Sequence, residues 1–216
     1  MNGAAAPLPA PGPGPGTQHS EPGKVLRFGG GGPGAPGAPG PGADAAARLG
    51  IWLFIAPLAM FFLSIVSAYL VRSGIAGGFG SFPLPRIVWF NTAVLLTSGA
   101  AAETARRTSR GARRWLAAAL LLGLVFLAGQ LAAWRQLMTQ GIGVGTTPFG
   151  SYFYLMTGAH ALHLLGGLIA LTAAAAWPAA GPAADRRGRV VPGAVIYWHF
   201  MNAVWIGLLF LLAYWR

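Results

Sequence analysis

Residues 149–177, FGSYFYLMTGAHALHLLGGLIALTAAAAW, contain no charged side chain. A helix rising 1.5 Å per residue needs about 20 residues to cross about 30 Å of hydrocarbon, so this run is long enough to span a bilayer. A barrel strand would instead alternate over about ten residues. The ends of the run are punctuated: Gly141, Gly143, Gly145 and Pro148 interrupt the uncharged stretch upstream, and Pro178 follows Trp177. Its two histidines, His160 and His163, are three residues apart and share one helix face.

Four further apolar runs lie between charges on either side of it. Residues 49–71 are bracketed by Arg48 and Arg72, and residues 87–105 follow Arg86 and carry Glu103 in the last turn. Residues 115–134 lie between Arg114 and Arg135, and residues 190–215 between Arg189 and Arg216. The expected fold is therefore all-α, a polytopic membrane protein with five transmembrane helices in a bundle, occupying residues 46–216. Composition agrees. Of 216 residues 55% are hydrophobic and only 9% charged, against roughly a quarter charged in a soluble domain. The absence of cysteine excludes disulfides, thiolate metal ligands and a cysteine nucleophile.

Residues 1–45 are dominated by Gly and Pro in tracts such as PAPGPGPG and GGGGPGAPGAPGPG, which bury too little apolar surface to offset the entropy of ordering, so they read as a disordered tail. No apolar run follows the initiator Met, and there is no lipid-attachment cysteine. The net charge of +11 does not form a basic stripe interleaved with aromatics, so nucleic acid is not the expected partner. The charge reports topology instead. Lys24, Arg27, Arg48, Arg106, Arg107, Arg110, Arg113, Arg114, Arg186, Arg187 and Arg189 fall on one side of the spans, and Arg72, Arg86, Arg135 and Arg216 on the other. Basic residues are retained in cytoplasmic loops, which puts the N-terminus inside and the C-terminus outside. Trp52, Trp89, Trp115, Trp134, Trp177 and Trp215 lie near span ends, as an interfacial aromatic belt requires.

Polar side chains at membrane depth are the functional candidates. His199, with His160 or His163, could supply the axial pair of a b-type haem, although His160 and His163 on one face cannot be opposite ligands. Zinc or iron catalysis would want a carboxylate, and the spans hold none except Glu103. Ser64, Ser67, Ser98 and Ser151 lack a nucleophile turn and an acid placed to orient a histidine. With Ala68, Gly99, Gly158, Gly166 and Gly167 they read as small residues that let helices approach closely. The expectation for the histidines is hydrogen bonding between helices or toward a partner, and for Asn91, Gln130 and Asn202 it is interhelical hydrogen bonding. A small transporter would show an inverted repeat or a broken helix with midplane charges, and neither is evident.

The segments GIWLFIAPLAMFFLSIVSAYLVR (50–72), FNTAVLLTSG (90–99) followed by ETARR, GQLAAW (129–134), FGSYFYLMTGAHALHLLGGL (149–168) and YWHFMNAVWIGLLFLLAYW (197–215) have an order and spacing that resemble subunit III of haem-copper terminal oxidases. The resemblance implies a subunit with no redox centre or metal of its own. It implies haem and copper in the partner subunits, subunit I as main contact with subunits II and IV as further neighbours, bound phospholipid, and support for oxygen access and proton uptake. Asn91, Gln130, His160, His163, Gly166, Gly167, His199, Asn202 and Trp205 are the motif or interface positions it singles out, and a bacterial inner membrane is the implied location. The chain resembles the five-helix form that lacks the family's first two helices. It departs where many members have Ser-Glu and here stand Pro57 and Leu58, where they have Glu and here stands Ala133, and where an Asp is replaced by Asn202. Two other readings stay open at this point: a partner of a nitric oxide reductase, and a standalone membrane b-type haem protein.

Overall fold

The computed structural model of the protein describes Gly3 and residues 43–76, 84–108, 111–176 and 184–214. The expected tail, residues 1–45, lies outside the described residues except for Gly3 and its last three positions. The chain divides between Ala38 and Pro39, and the five helices found among the described residues all belong to the second unit. They are α1 (Ala43–Ile75), α2 (Arg86–Arg107), α3 (Ala112–Thr139), α4 (Pro148–Ala176) and α5 (Ala184–Tyr214). Each contains its expected span to within one residue, and most run past it. Arginine and alanine are good helix formers, so a helix does not stop where the apolar run stops. Thus α1 begins at Ala43 rather than Leu49, and α3 continues through Arg135 to Thr139.

Stretches of α1, α3, α4 and α5 are long and apolar enough to cross a membrane: Leu49–Ile75, Ala112–Thr139, Pro148–Ala176 and Val190–Tyr214. Among the described residues four helices, not the expected five, meet that criterion. The exception, α2, is 22 residues long and carries Asn91, Thr92, Thr97, Ser98, Glu103 and Thr104 together with Arg106 and Arg107. Pro57 lies inside α1 and Pro192 inside α5, each removing one backbone donor from its helix.

Local chemistry sets the connections. Gly111 adopts φ 82° as it enters α3, a left-handed conformation that costs glycine nothing. At the end of α3, Gly141 N–H donates to Met138 O at 3.0 Å and Ile142 N–H to Leu137 O at 3.0 Å, with Gly141 at φ 77°. This is a Schellman closure, and its usual apolar contact is provided by Ile142 and Leu137, both buried. Thr147 then caps α4, its Oγ1 accepting from Gly150 N–H at 3.0 Å, with Pro148 in the first helical position. The expected break over residues 141–148 is therefore a helix stop followed by a helix start.

Helices α2, α3, α4 and α5 form a closed ring in which each packs on the next and α5 returns to α2. Buried residues on α3 recur every three or four positions, from Leu116, Ala119 and Gly123 to Phe126, Gln130, Ala133 and Leu137. The diagonal of the ring is filled by α5 side chains. A Cβ placed on Gly123 would meet Trp198 Cη2 at 2.9 Å, and the Phe126 and Trp205 rings cross edge to face at 4.9 Å. Helix α1 stands outside the ring and, among the described residues, packs only on α4 and α5.

Candidate functional site

Three indole N–H groups stitch the ring, each to a hydroxyl that donates onward to a backbone carbonyl. Trp198 Nε1 donates to Ser98 Oγ at 3.1 Å, and Ser98 Oγ donates to Ala119 O at 2.7 Å, linking α5, α2 and α3. Trp205 Nε1 donates to Thr92 Oγ1 at 3.0 Å, which donates to Val88 O at 2.8 Å. Trp134 Nε1 donates to Thr157 Oγ1 at 3.0 Å, which donates to Phe153 O at 2.6 Å, joining α3 to α4. Hydroxyls can accept and donate at once, so each chain satisfies two buried polar groups across a helix interface. Ser98 is thus more than a small residue. Trp134, assigned to the interfacial belt from sequence, also serves as an interhelical anchor. Trp52, Trp89 and Trp115 are exposed as a belt would be, and Trp177 and Trp215 lie outside the described residues.

The histidines depart from expectation. His160 is fully buried, and neither ring nitrogen has a hydrogen-bond partner among the described residues. Its ring lies 5.1 Å from that of Trp205, 5.9 Å from Phe126 and 6.5 Å from Phe62. His163 Nδ1 is 2.7 Å from Ala159 O on its own helix, not on a neighbour. The carbonyl of His163 accepts from Tyr197 Oη at 2.9 Å, so it is this residue's backbone that bonds across to α5. His199 turns outward, half-exposed, and its Nε2 lies 3.4 Å from Glu103 Oε2. An acid is therefore placed beside a histidine after all. The two residues are far apart in sequence and meet only because α2 packs on α5. The same carboxylate also takes Arg106 at 2.5 Å and Arg107 at 2.6 Å, three and four residues further along α2.

His160 is enclosed by protein rings on several sides, His163 shares its helix face, and His199 points to the rim. Among the described residues no three His, Cys, Asp or Glu side chains are grouped as a metal site.

The amides divide. Asn91 Nδ2 donates to Phe126 O on α3 at 3.3 Å, as interhelical bonding requires. Asn202 Nδ2 instead donates to Trp198 O one turn back on α5 at 2.8 Å, and its Oδ1 has no partner among the described residues. Gln130 is buried with both amide atoms unpartnered. Leu58 and Ala133, which stand where the resemblance expects carboxylates, are buried in the apolar core.

The two glycines singled out from sequence occupy different surroundings. A Cβ on Gly167 would meet Trp198 at 2.9 Å and Tyr197 at 3.0 Å, so the close approach of α4 to α5 depends on that glycine. A Cβ on Gly166 would meet only Tyr197 Oη, at an ordinary 3.8 Å. Gly166 lines a groove of about 330 Å³ between α1, α4 and α5, with Ile51, Phe54, Ala170, Ala194 and Tyr197 among its walls. The Tyr197 hydroxyl is already engaged with His163 O, which leaves the groove almost wholly apolar.

Residues 40–216 match the family model described as cytochrome c oxidase subunit III. A probable cytochrome c oxidase subunit 3 of Mycobacterium tuberculosis (strain H37Rv) is 33% identical over 172 residues, covering 74% of this chain and 83% of that protein. Cytochrome c oxidase subunit 3 of Synechocystis sp. is 30% identical over 176 residues, covering 76% and 73%. Cytochrome bo(3) ubiquinol oxidase subunit 3 of Pseudomonas aeruginosa is 30% identical over 168 residues, covering 73% and 79%.

Proposed function

Because the chain belongs to the cytochrome c oxidase subunit III family, we propose that it is the non-redox accessory subunit of a bacterial haem-copper terminal oxidase. The observation that carries this reading is the family match over residues 40–216, which takes in all five helices. Haem and copper belong to the partner subunits, and this chain packs beside subunit I with subunits II and IV as further neighbours. The enclosure of His160 by Phe62, Phe126 and Trp205, and the commitment of His199 to Glu103, support a scaffold role for the histidines. The chain stabilises the catalytic subunit and supports its oxygen access and proton uptake. The apolar groove bounded by Gly166, Ala170 and Phe54 suits a lipid acyl chain.

In this reading α2 is the fifth span despite its polar content. Its Asn91 Nδ2, Thr92 and Ser98 make hydrogen bonds inside the ring, which lowers the cost of placing them in a bilayer. The N-terminus is cytoplasmic. Purification through a tag on this chain in mild detergent tests the assignment. The expected preparation contains a larger subunit carrying haem and copper, while this chain, once separated, shows no haem absorbance; a stoichiometric haem band on the isolated chain overturns it. In intact cells Arg110→Cys should be protected from impermeant thiol reagents and Gly143→Cys should react, and the opposite pattern reverses the orientation.

A further inference from the structure

We propose that Gln130 on α3 and His160 on α4 together bind water inside the helix ring. The inference does not depend on which complex the chain joins. Both side chains are buried, and all four of their polar atoms, Gln130 Oε1 and Nε2 and His160 Nδ1 and Nε2, have no hydrogen-bond partner among the described residues. They belong to one place in the fold. Gln130 lies one turn after Phe126 and one turn before Trp134 on the inward stripe of α3. The Phe126 ring packs against that of His160, and Trp134 is bonded to Thr157, one turn before His160 on α4. Gln130 therefore sits at the level of α4 where His160 faces inward. Trp205 closes the site from α5, in contact with both His160 and Phe126. From α2, Asn91 contributes an unpartnered Oδ1 beside Gly129, the residue next to Gln130.

Hydrogen-bonding capacity selects the ligand. A glutamine amide offers two N–H donors and one acceptor oxygen, and a neutral imidazole one donor and one acceptor. A direct Gln130–His160 bond would satisfy one atom on each residue and leave the others bare at membrane depth, where an unmet polar group costs the full loss of solvation. A water molecule with two to four polar partners meets several of these groups together. It can donate to the acceptor nitrogen of His160 and to Gln130 Oε1 or Asn91 Oδ1 while accepting from Gln130 Nε2. Bound there, it ties α3 to α4 and decides which ring nitrogen of His160 carries the proton.

The test is a map of the intact complex, at a resolution where ordered solvent is visible elsewhere. The expected result is a density peak within hydrogen-bond distance of both the Gln130 amide and a His160 ring nitrogen. A direct bond between the two side chains, or an empty gap in an otherwise hydrated map, overturns the proposal. Near-isosteric apolar replacements supply a second readout. If water links the two residues, Gln130→Met and His160→Phe should each lower the melting temperature of the complex, and the double variant should lose less than the sum of the single losses. Strictly additive losses overturn the bridge.

Discussion

Helices α5 and α1 are alike in one dimension and opposite in three. They have 31 and 33 residues, both contain a proline, and both are apolar enough to span a bilayer. Over their most apolar stretches 56% of α5 is buried within the protein and 17% of α1. The difference follows from what their aromatic side chains need. Trp198 and Trp205 on α5 carry indole N–H groups in mid-helix, and lipid cannot accept a hydrogen bond, so these groups are satisfied at Ser98 and Thr92 inside the ring. Of the three phenylalanines of α1, none of which carries a polar atom, Phe54 and Phe61 are exposed and only Phe62 turns inward, against His160. Apolarity places a helix in the membrane, and a few polar handles decide which helices face one another.

The largest expected break in this contrast is at Trp198. Trp198→Ala removes a fully buried ring from the diagonal and leaves Ser98 without its donor, a loss of about 3–5 kcal/mol for a large core truncation. Thermal melting of the purified complex should show it, whereas Trp52→Ala on α1 should leave the melting temperature almost unchanged. An equal loss at both positions would remove the distinction between ring and outlier. Next in size, Gly167→Leu forces α4 away from α5 and should cost about 1–3 kcal/mol or prevent assembly, as read from subunit stoichiometry. Gly166→Leu fills the groove instead, and should leave stoichiometry intact while reducing co-purified phospholipid.

Most of the helix inventory was legible because it rests on local chemistry. Arginines bracket the spans, and Gly141 and Pro148 mark a stop and a start that the hydrogen bonds of Ile142 and Thr147 bear out. The arrangement of the helices was not legible. Residues 149–177 are apolar on all sides, so no amphipathic stripe in that run reveals which face is buried. The pairing of Glu103 with His199 could not be read either, since it needs α2 laid against α5. Reading tryptophans near span ends as a belt missed the second role of Trp134. A signal for such anchors was present in the hydroxyls: Thr92, Ser98 and Thr157 lie in mid-helix, where a buried hydroxyl needs partners and can serve an indole.

Smaller effects test the rim. Glu103→Gln removes the carboxylate shared by Arg106, Arg107 and His199, but these partners are partly or largely solvent-exposed, so the change should cost under about 1 kcal/mol. A melting shift comparable to that of Trp198→Ala would show that the cluster is enclosed in the complex.

The smallest effect is expected at Leu63 on α1, which is 66% exposed. In water, cutting such a leucine to alanine would change how much apolar surface is hydrated. In a bilayer the surrounding acyl chains are as apolar as leucine, so the exchange forfeits only dispersion contacts that lipid largely restores. Alanine is also as good a helix former as leucine, which leaves the backbone of α1 undisturbed. Leu63→Ala should therefore change the stability of this chain by no more than about 0.5 kcal/mol, whether measured in detergent or in a reconstituted bilayer. Measured in both the isolated chain and the assembled complex, the same substitution also sharpens the contrast with α5. A loss confined to the complex would mean that the outer face of α1 is covered by a neighbouring subunit, because only a packed protein surface would be left with a cavity that acyl chains cannot fill.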